Sequence, residues 1–171
     1  MVDDVGGDLG ERIAALETAE DVRRLAAAYA AACDAKDLDA IRAITAPDFV
    51  VSVPGQAWSG IEEAVGFYAA AWAGSDAPSR HFMTNIATTS LTGDGAEATS
   101  YFFYVTVLGD RSQVGWGTYH DTFVRRDGRL VFSAKHIEMD LLANLDEGWG
   151  DLWAVAAGSS AGSAAGSAGK A

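Results

Sequence analysis

Pro78-Ser79-Arg80-His81-Phe82-Met83-Thr84-Asn85-Ile86 is the stretch on which the fold turns. Before it, apolar residues recur at helical spacing. After it come runs rich in aromatic and β-branched residues, separated by glycine-containing turns. The stretch begins a strand, and its alternation puts His81, Met83 and Asn85 on one face.

Upstream, residues 8–17 read as a short amphipathic helix with Ile13 and Leu16 on one side. Thr18, with Asp21 three residues on, has the form of a capping box that opens a second helix. Val22, Leu25, Ala26, Tyr29 and Cys33 then follow at helical spacing, to an end near Ala35 or Lys36. Asp37 suits the N-cap of a helix over residues 38–44, which Pro47 stops. Residues 49–53 make a strand, Trp58 and Gly60 lie in a turn or short strand, and residues 61–72 form a third helix. Residues 74–79 are loop.

Downstream, strands are expected over residues 81–91, 97–108, 114–126 and 129–139, joined at Gly93-Asp94-Gly95, Gly109-Asp110 and Asp127-Gly128. Gly115 and Gly117 would let their strand bend. Three helices followed by a curved antiparallel meander make an α+β domain. Tyr101-Phe102-Phe103-Tyr104-Val105-Thr106-Val107 is apolar or aromatic on both faces, whereas a meander with one wet face alternates. The second face therefore requires a cover. A second subunit is the simplest one, so a homo-oligomer, a dimer in the first instance, is expected. The first helix or the Trp149/Trp153 segment is the alternative cover.

The 171 residues suit one domain, here residues 8–155. Residues 156–171 are Ala, Gly and Ser with one Lys, and have almost nothing to bury, so a disordered tail is expected. A net charge of −12 argues against nucleic acid and against an anionic membrane surface. The acidic start Met1-Val2-Asp3-Asp4 lacks the apolar core of a signal peptide, and no apolar run is long enough to span a bilayer. A cytoplasmic protein is the default. One cysteine, Cys33, excludes an internal disulfide.

Three residues are candidates for chemistry. His81 opens the strand. Asp34 lies near a helix C-terminus, where the macrodipole disfavours an acid, and unlike Asp37 and Asp39 it has no capping role there. A carboxylate held near a pocket can orient a histidine and stabilise its charge. Arg125 shares a strand face with Tyr119, Asp121 and Phe123; if that face lines a pocket, the pocket holds a guanidinium. The bland alternatives are a partly exposed strand histidine, an exposed loop acid and a solvated arginine by a turn. His120 points opposite to Tyr119, and His136 shares a solvated face with Glu138 and Asp140. No His/Cys cluster has metal-ligand spacing, so neither a metal nor another cofactor is expected.

Taken in order, Tyr29-Ala-Ala-Ala-Cys-Asp34-Ala-Lys-Asp37-Leu-Asp39, Ala46-Pro47-Asp48-Phe49, Gly60 before a helix, Arg80-His81-Phe82 with Asn85, Gly117-Thr-Tyr119-His-Asp121 and Arg126-Asp127-Gly128 resemble the SnoaL-like branch of the NTF2-like superfamily. The nearest comparisons are scytalone dehydratase and hexachlorocyclohexane dehydrochlorinase. The resemblance covers roughly residues 16–141. It implies an NTF2-like (cystatin-like) cone, with a curved sheet wrapped by helices around a deep pocket. It also implies an Asp–His pair, which falls on Asp34 and His81, and an arginine whose nearest match is Arg125. Cys33 stands where the dehydratase has a tyrosine, and Phe102 about where it has a second histidine, so scytalone is not the expected substrate. The superfamily also holds polyketide cyclases, ketosteroid isomerases, binding domains and oxygenase β-subunits.

The expected function is a cofactor-free lyase or isomerase of the dehydratase kind. In it His81 removes a proton from carbon and Asp34 holds the imidazole. The substrate would be a small hydrophobic carbonyl or hydroxy compound such as a polyketide, steroid or terpenoid. Tyr29, Trp58, Tyr68, Asn85, Phe102, Tyr104, Tyr119 and Phe123 are the expected substrate-binding residues, several of them through hydrogen bonds to developing charge. The rivals are a non-catalytic small-molecule-binding module, a polyketide cyclase and a structural oxygenase β-subunit.

Overall fold

The structure is a computed structural model, and it describes residues 8–74, 77, 79–92, 94–108 and 111–145. The expected tail and the Trp149/Trp153 segment lie outside the described residues. The elements run α1 (Leu9–Ala35), α2 (Leu38–Ile44), β1 (Thr45–Val53), β2 (Gln56–Ser59), α3 (Ile61–Trp72), β3 (Arg80–Thr92), β4 (Gly95–Leu108), β5 (Arg111–Arg126) and β6 (Arg129–Asn144).

The helical patterning before residue 80 and the strand patterning after it both hold, with one merger. α1 is a single 27-residue helix, not two helices parted at Thr18. The Thr18 hydroxyl does not cap. It donates to the Ala14 carbonyl one turn back at 2.9 Å, and receives the Arg125 guanidinium at 2.8 Å. A threonine satisfied this way can sit inside a helix.

α1 ends in a Schellman turn. Lys36 takes the left-handed conformation, its N–H bonds Cys33 O, and the Asp37 N–H bonds Ala32 O. Asp37 then starts α2 as an N-cap, its carboxylate accepting from the Ala40 N–H at 2.9 Å. The turn leaves Asp34 in the last turn of α1 with its carboxylate free for other partners.

The six strands form one open sheet in the order β2-β1-β6-β5-β4-β3. β3 to β6 are the expected antiparallel meander. β1 adds parallel to β6, so the sheet is mixed. α1 packs against β3 and β6, and α3 against β1 and β2. The core between them holds Ile41, Phe49, Val51 and Phe132, all essentially inaccessible to solvent. Each such side chain contributes about 1.5–3 kcal/mol of burial.

Register shifts bend the meander. In β3 one falls between Thr84 and Ala87, where Asn85 adopts φ +51°. In β6 the pairing passes from Phe132 directly to Ala134, leaving Ser133 as an extra residue, and from Met139 to Leu141. Such bulges increase local twist and re-aim the side chains that follow.

The two central glycines of β5 admit aromatic rings from β4. A Cβ on Gly115 would lie 2.5 Å from the Tyr104 ring. A Cβ on Gly117 would strike the Glu138 carbonyl and sit 2.9 Å from Phe102. The Gly117 obstruction is backbone, which cannot swing away. Gly117→Ala is therefore expected to cost about 1–3 kcal/mol, as overpacked cores do, measurable as a lower urea midpoint. An unchanged midpoint would mean the strand can shift to admit the methyl.

Candidate active site

His81 and Asp34 meet through three hydrogen bonds. The His81 Nδ1–H donates to Asp34 Oδ1 at 2.7 Å, and the His81 backbone N–H is shared between Oδ1 (3.0 Å) and Oδ2 (3.2 Å). Ser79 Oγ adds a longer bond to Oδ1 at 3.3 Å. Both side chains are largely sheltered, with 14% and 15% exposed. The backbone bond fixes the position of the carboxylate, and the ring bond then fixes the ring. A carboxylate only accepts, so Nδ1 carries the hydrogen, and a neutral imidazole then has its lone pair on Nε2. The opposite ring face lies on Tyr104, centroids 5.3 Å apart and planes 21° apart.

His81 lines a cavity of about 300 Å³ between the sheet, α1 and α3. Its lining is mostly apolar and includes Tyr29, Tyr68, Phe102, Tyr104, Tyr119 and Trp72. Asp34 stands behind His81 and is not part of the lining. This is the placement of a histidine that faces a ligand with a carboxylate behind it.

The other expected site residues divide. Tyr29, Tyr68, Phe102, Tyr104 and Tyr119 reach the cavity. Trp58, Asn85, Phe123 and Arg125 do not line it. Trp58 packs on Phe67, centroids 4.4 Å apart, and Phe67 is itself at the cavity wall. Asn85 is exposed at its bulge, because the extra residue breaks the alternation that would have kept it on the face of His81. Phe123 is core, against Phe132 at 4.6 Å. Arg125 is six residues beyond Tyr119, about 20 Å along the strand at 3.3 Å per residue, and reaches Thr18 instead. The shared face is real, but only its Tyr119 end opens on the cavity.

Lys135 is the residue that sequence reasoning missed. Its side chain is 0% exposed, its ammonium bonds Asp121 Oδ1 at 2.6 Å, and it lies over the rings of Tyr29 (4.1 Å) and Tyr119 (4.0 Å). Burial, the larger influence, pushes the Asp121 carboxyl up and the Lys135 amine down, while each partner pulls the other back. Plain alternation from Phe132 sends Lys135 to the outer face. The extra residue Ser133 turns it inward. Burial also drives the phenols of Tyr29, Tyr68 and Tyr119 well above their ordinary range, with the Cys33 thiol the next influence on each. These groups stay protonated and act as donors. The Cys33 thiol is itself pushed up to about 12 by burial, which leaves it a poor nucleophile.

His120 and His136 sit on the outer face, bonded to Glu138 (3.1 Å) and Ser52 (2.9 Å). Among the described residues, no group of three or more His, Cys, Asp or Glu could hold a metal ion. Nor is any helix long and apolar enough to cross a membrane.

The SnoaL-like domain family matches residues 14–136. The chain belongs to this family. Solved structures agree on the fold. The provisionally named scytalone dehydratase of Novosphingobium aromaticivorans superposes with a TM-score of 0.70 at 17% identity, over 77% of this chain and 90% of that one. A hexachlorocyclohexane dehydrochlorinase (LinA, type 2) gives 0.67 at 20% identity, over 78% and 90%. A Nostoc punctiforme protein of unknown function with a cystatin-like fold gives 0.59 at 21%, over 70% and 89%. No curated protein matches the sequence significantly. The SnoaL-like domain thus has the α+β, NTF2-like architecture read from its motifs.

Within this domain the Lys135–Asp121 pair sets a stability test. Lys135→Met leaves a buried carboxylate unpaired and is expected to cost about 3–5 kcal/mol. Lys135→Met/Asp121→Leu should recover most of that loss, read by denaturant unfolding. Equal losses in the single and double variants would show that the cost lies in packing and not in charge.

Proposed function

We propose that this SnoaL-like domain is a cofactor-free lyase or isomerase in which His81 is the general base and Asp34 its positioning carboxylate. The 2.7 Å bond between His81 Nδ1 and Asp34, at the wall of a largely apolar cavity, carries this reading. Nε2 takes a proton from a carbon beside a carbonyl, and the C–H electron pair moves into an enolate. In an elimination the enolate expels a β-hydroxyl, which leaves as water with the proton returned by the imidazolium. In an isomerisation the same proton returns to a different carbon. Asp34 holds the tautomer and stabilises the imidazolium. The cavity suits a small, flat, hydrophobic carbonyl or hydroxy compound, of which polyketides, steroids and terpenoids are examples. The dehydratase and dehydrochlorinase among the fold relatives lend weight to proton abstraction as the shared step.

The same chain is proposed to work as a homo-oligomer. Phe82, Phe103, Trp116 and Leu141 pair successively across β3, β4, β5 and β6 on the outer face. Each is between 37% and 52% exposed. A contiguous apolar ladder of this kind is costly to leave in water. α1, one of the two alternative covers, lies on the other face against β3 and β6 and does not shield it.

Two experiments test these readings. With a panel of hydroxy-ketones in D₂O, the wild type should exchange or eliminate at carbon, followed by NMR. His81→Ala and Asp34→Asn should each slow this by about 10²–10⁴-fold; full turnover in either variant would sink the dyad. Sedimentation of the wild type should give a dimer or larger assembly, and Trp116→Glu should shift it to monomer. A wild-type monomer at micromolar concentration would remove the oligomer.

A further inference from the structure

The cavity has a polar end that the His81–Asp34 pair does not account for. Tyr68 is 3% exposed, lines the cavity, and its hydroxyl has no hydrogen-bond partner among the described residues. A buried hydroxyl left unpaired costs the protein its desolvation, so a partner is expected to be supplied from outside the chain. Tyr68 packs edge-on to Tyr29 (6.1 Å), and Tyr29 edge-on to Tyr119 (5.6 Å), so three phenols gather at one place. Behind them the Lys135 ammonium lies over the faces of Tyr29 and Tyr119. A cation on the face of a phenol ring draws electron density from it and makes its hydroxyl a stronger donor.

Flat walls run from this cluster toward His81. Tyr119 stacks on Phe102 (4.2 Å), Phe102 on Tyr104 (6.4 Å), and Tyr104 on His81. On the other side Trp72 lies against Tyr68 at 5.5 Å. A planar ring system fits between such walls.

We infer that Tyr68, grouped with Tyr29 and Tyr119 and backed by Lys135, forms a subsite for an acceptor oxygen, and that the ligand is a flat, largely apolar molecule carrying a ketone or enolate oxygen at that end. This rests on the cavity being the ligand site named above, and not on the dyad. It deepens the functional reading, because donors fixed at the oxygen stabilise the enolate that carbon deprotonation creates.

The probes are 1-tetralone, a bicyclic ketone, and tetralin, the same skeleton without the oxygen, each measured by equilibrium dialysis against the full chain. Tyr68→Phe should weaken 1-tetralone binding about three- to tenfold, the worth of one hydrogen bond, and leave tetralin within about twofold. Lys135→Met/Asp121→Leu should weaken 1-tetralone in the same selective way, about threefold, because the donors lose their cation. His81→Ala should leave the ratio of the two affinities unchanged, so a dead His81→Ala with an intact ratio separates this subsite from the dyad. The inference is overturned if Tyr68→Phe shifts both ligands equally or neither, or if the wild type binds neither.

Discussion

The contact between the Asp34 carboxylate and His81 is the constraint on which the rest depends. It joins the last turn of α1 to the first residues of β3 through one backbone and one ring hydrogen bond. The Schellman turn at Lys36 makes this possible by ending the helix without using Asp34. An acid at the C-terminal end of a helix is unfavourable by its dipole, and here two N–H groups from another element offset that. The helix is thereby held across the sheet edge, and the space between them is the cavity.

The inner surface owes its shape to departures from regular strand geometry. Gly115 and Gly117 remove side chains from β5 so that Tyr104 and Phe102 can lie across it. Those two rings form the wall between His81 and Tyr119. The extra residue Ser133 sets Lys135 into the interior, under Tyr29 and Tyr119. Both devices serve the concave face, while the convex face keeps its alternation and its apolar ladder. The sheet thus has two distinct surfaces, one shaped around a small molecule and one suited to a broad flat contact.

A buried lysine is an expensive way to fill a core. Desolvation works against both members of the Lys135–Asp121 pair, and apolar residues of similar volume would serve stability as well or better. The pair is therefore more readily understood by what it does to its neighbours. Its charge lies against the two phenols whose rings close one end of the cavity.

Much of this was legible in order and spacing alone. The switch from helical to strand periodicity at residue 80, the three helices, the hairpin turns and the α+β class are local properties, and local patterns carry them. Asp34 stood out because it lacked a capping role, and His81 because it opened a strand; the family resemblance then joined them. Tertiary structure decided the rest, because a single extra residue in a strand exchanges its faces without any mark in composition. The bulge at Asn85 turned that residue outward, and the one at Ser133 brought Lys135 in. Distance along β5 separated Arg125 from Tyr119 although both share a face. The sequence by itself determined which residues form helix and strand, since that follows from neighbours a few positions apart. Which of them meet at the cavity was decided only by register, curvature and reach, which depend on the whole sheet.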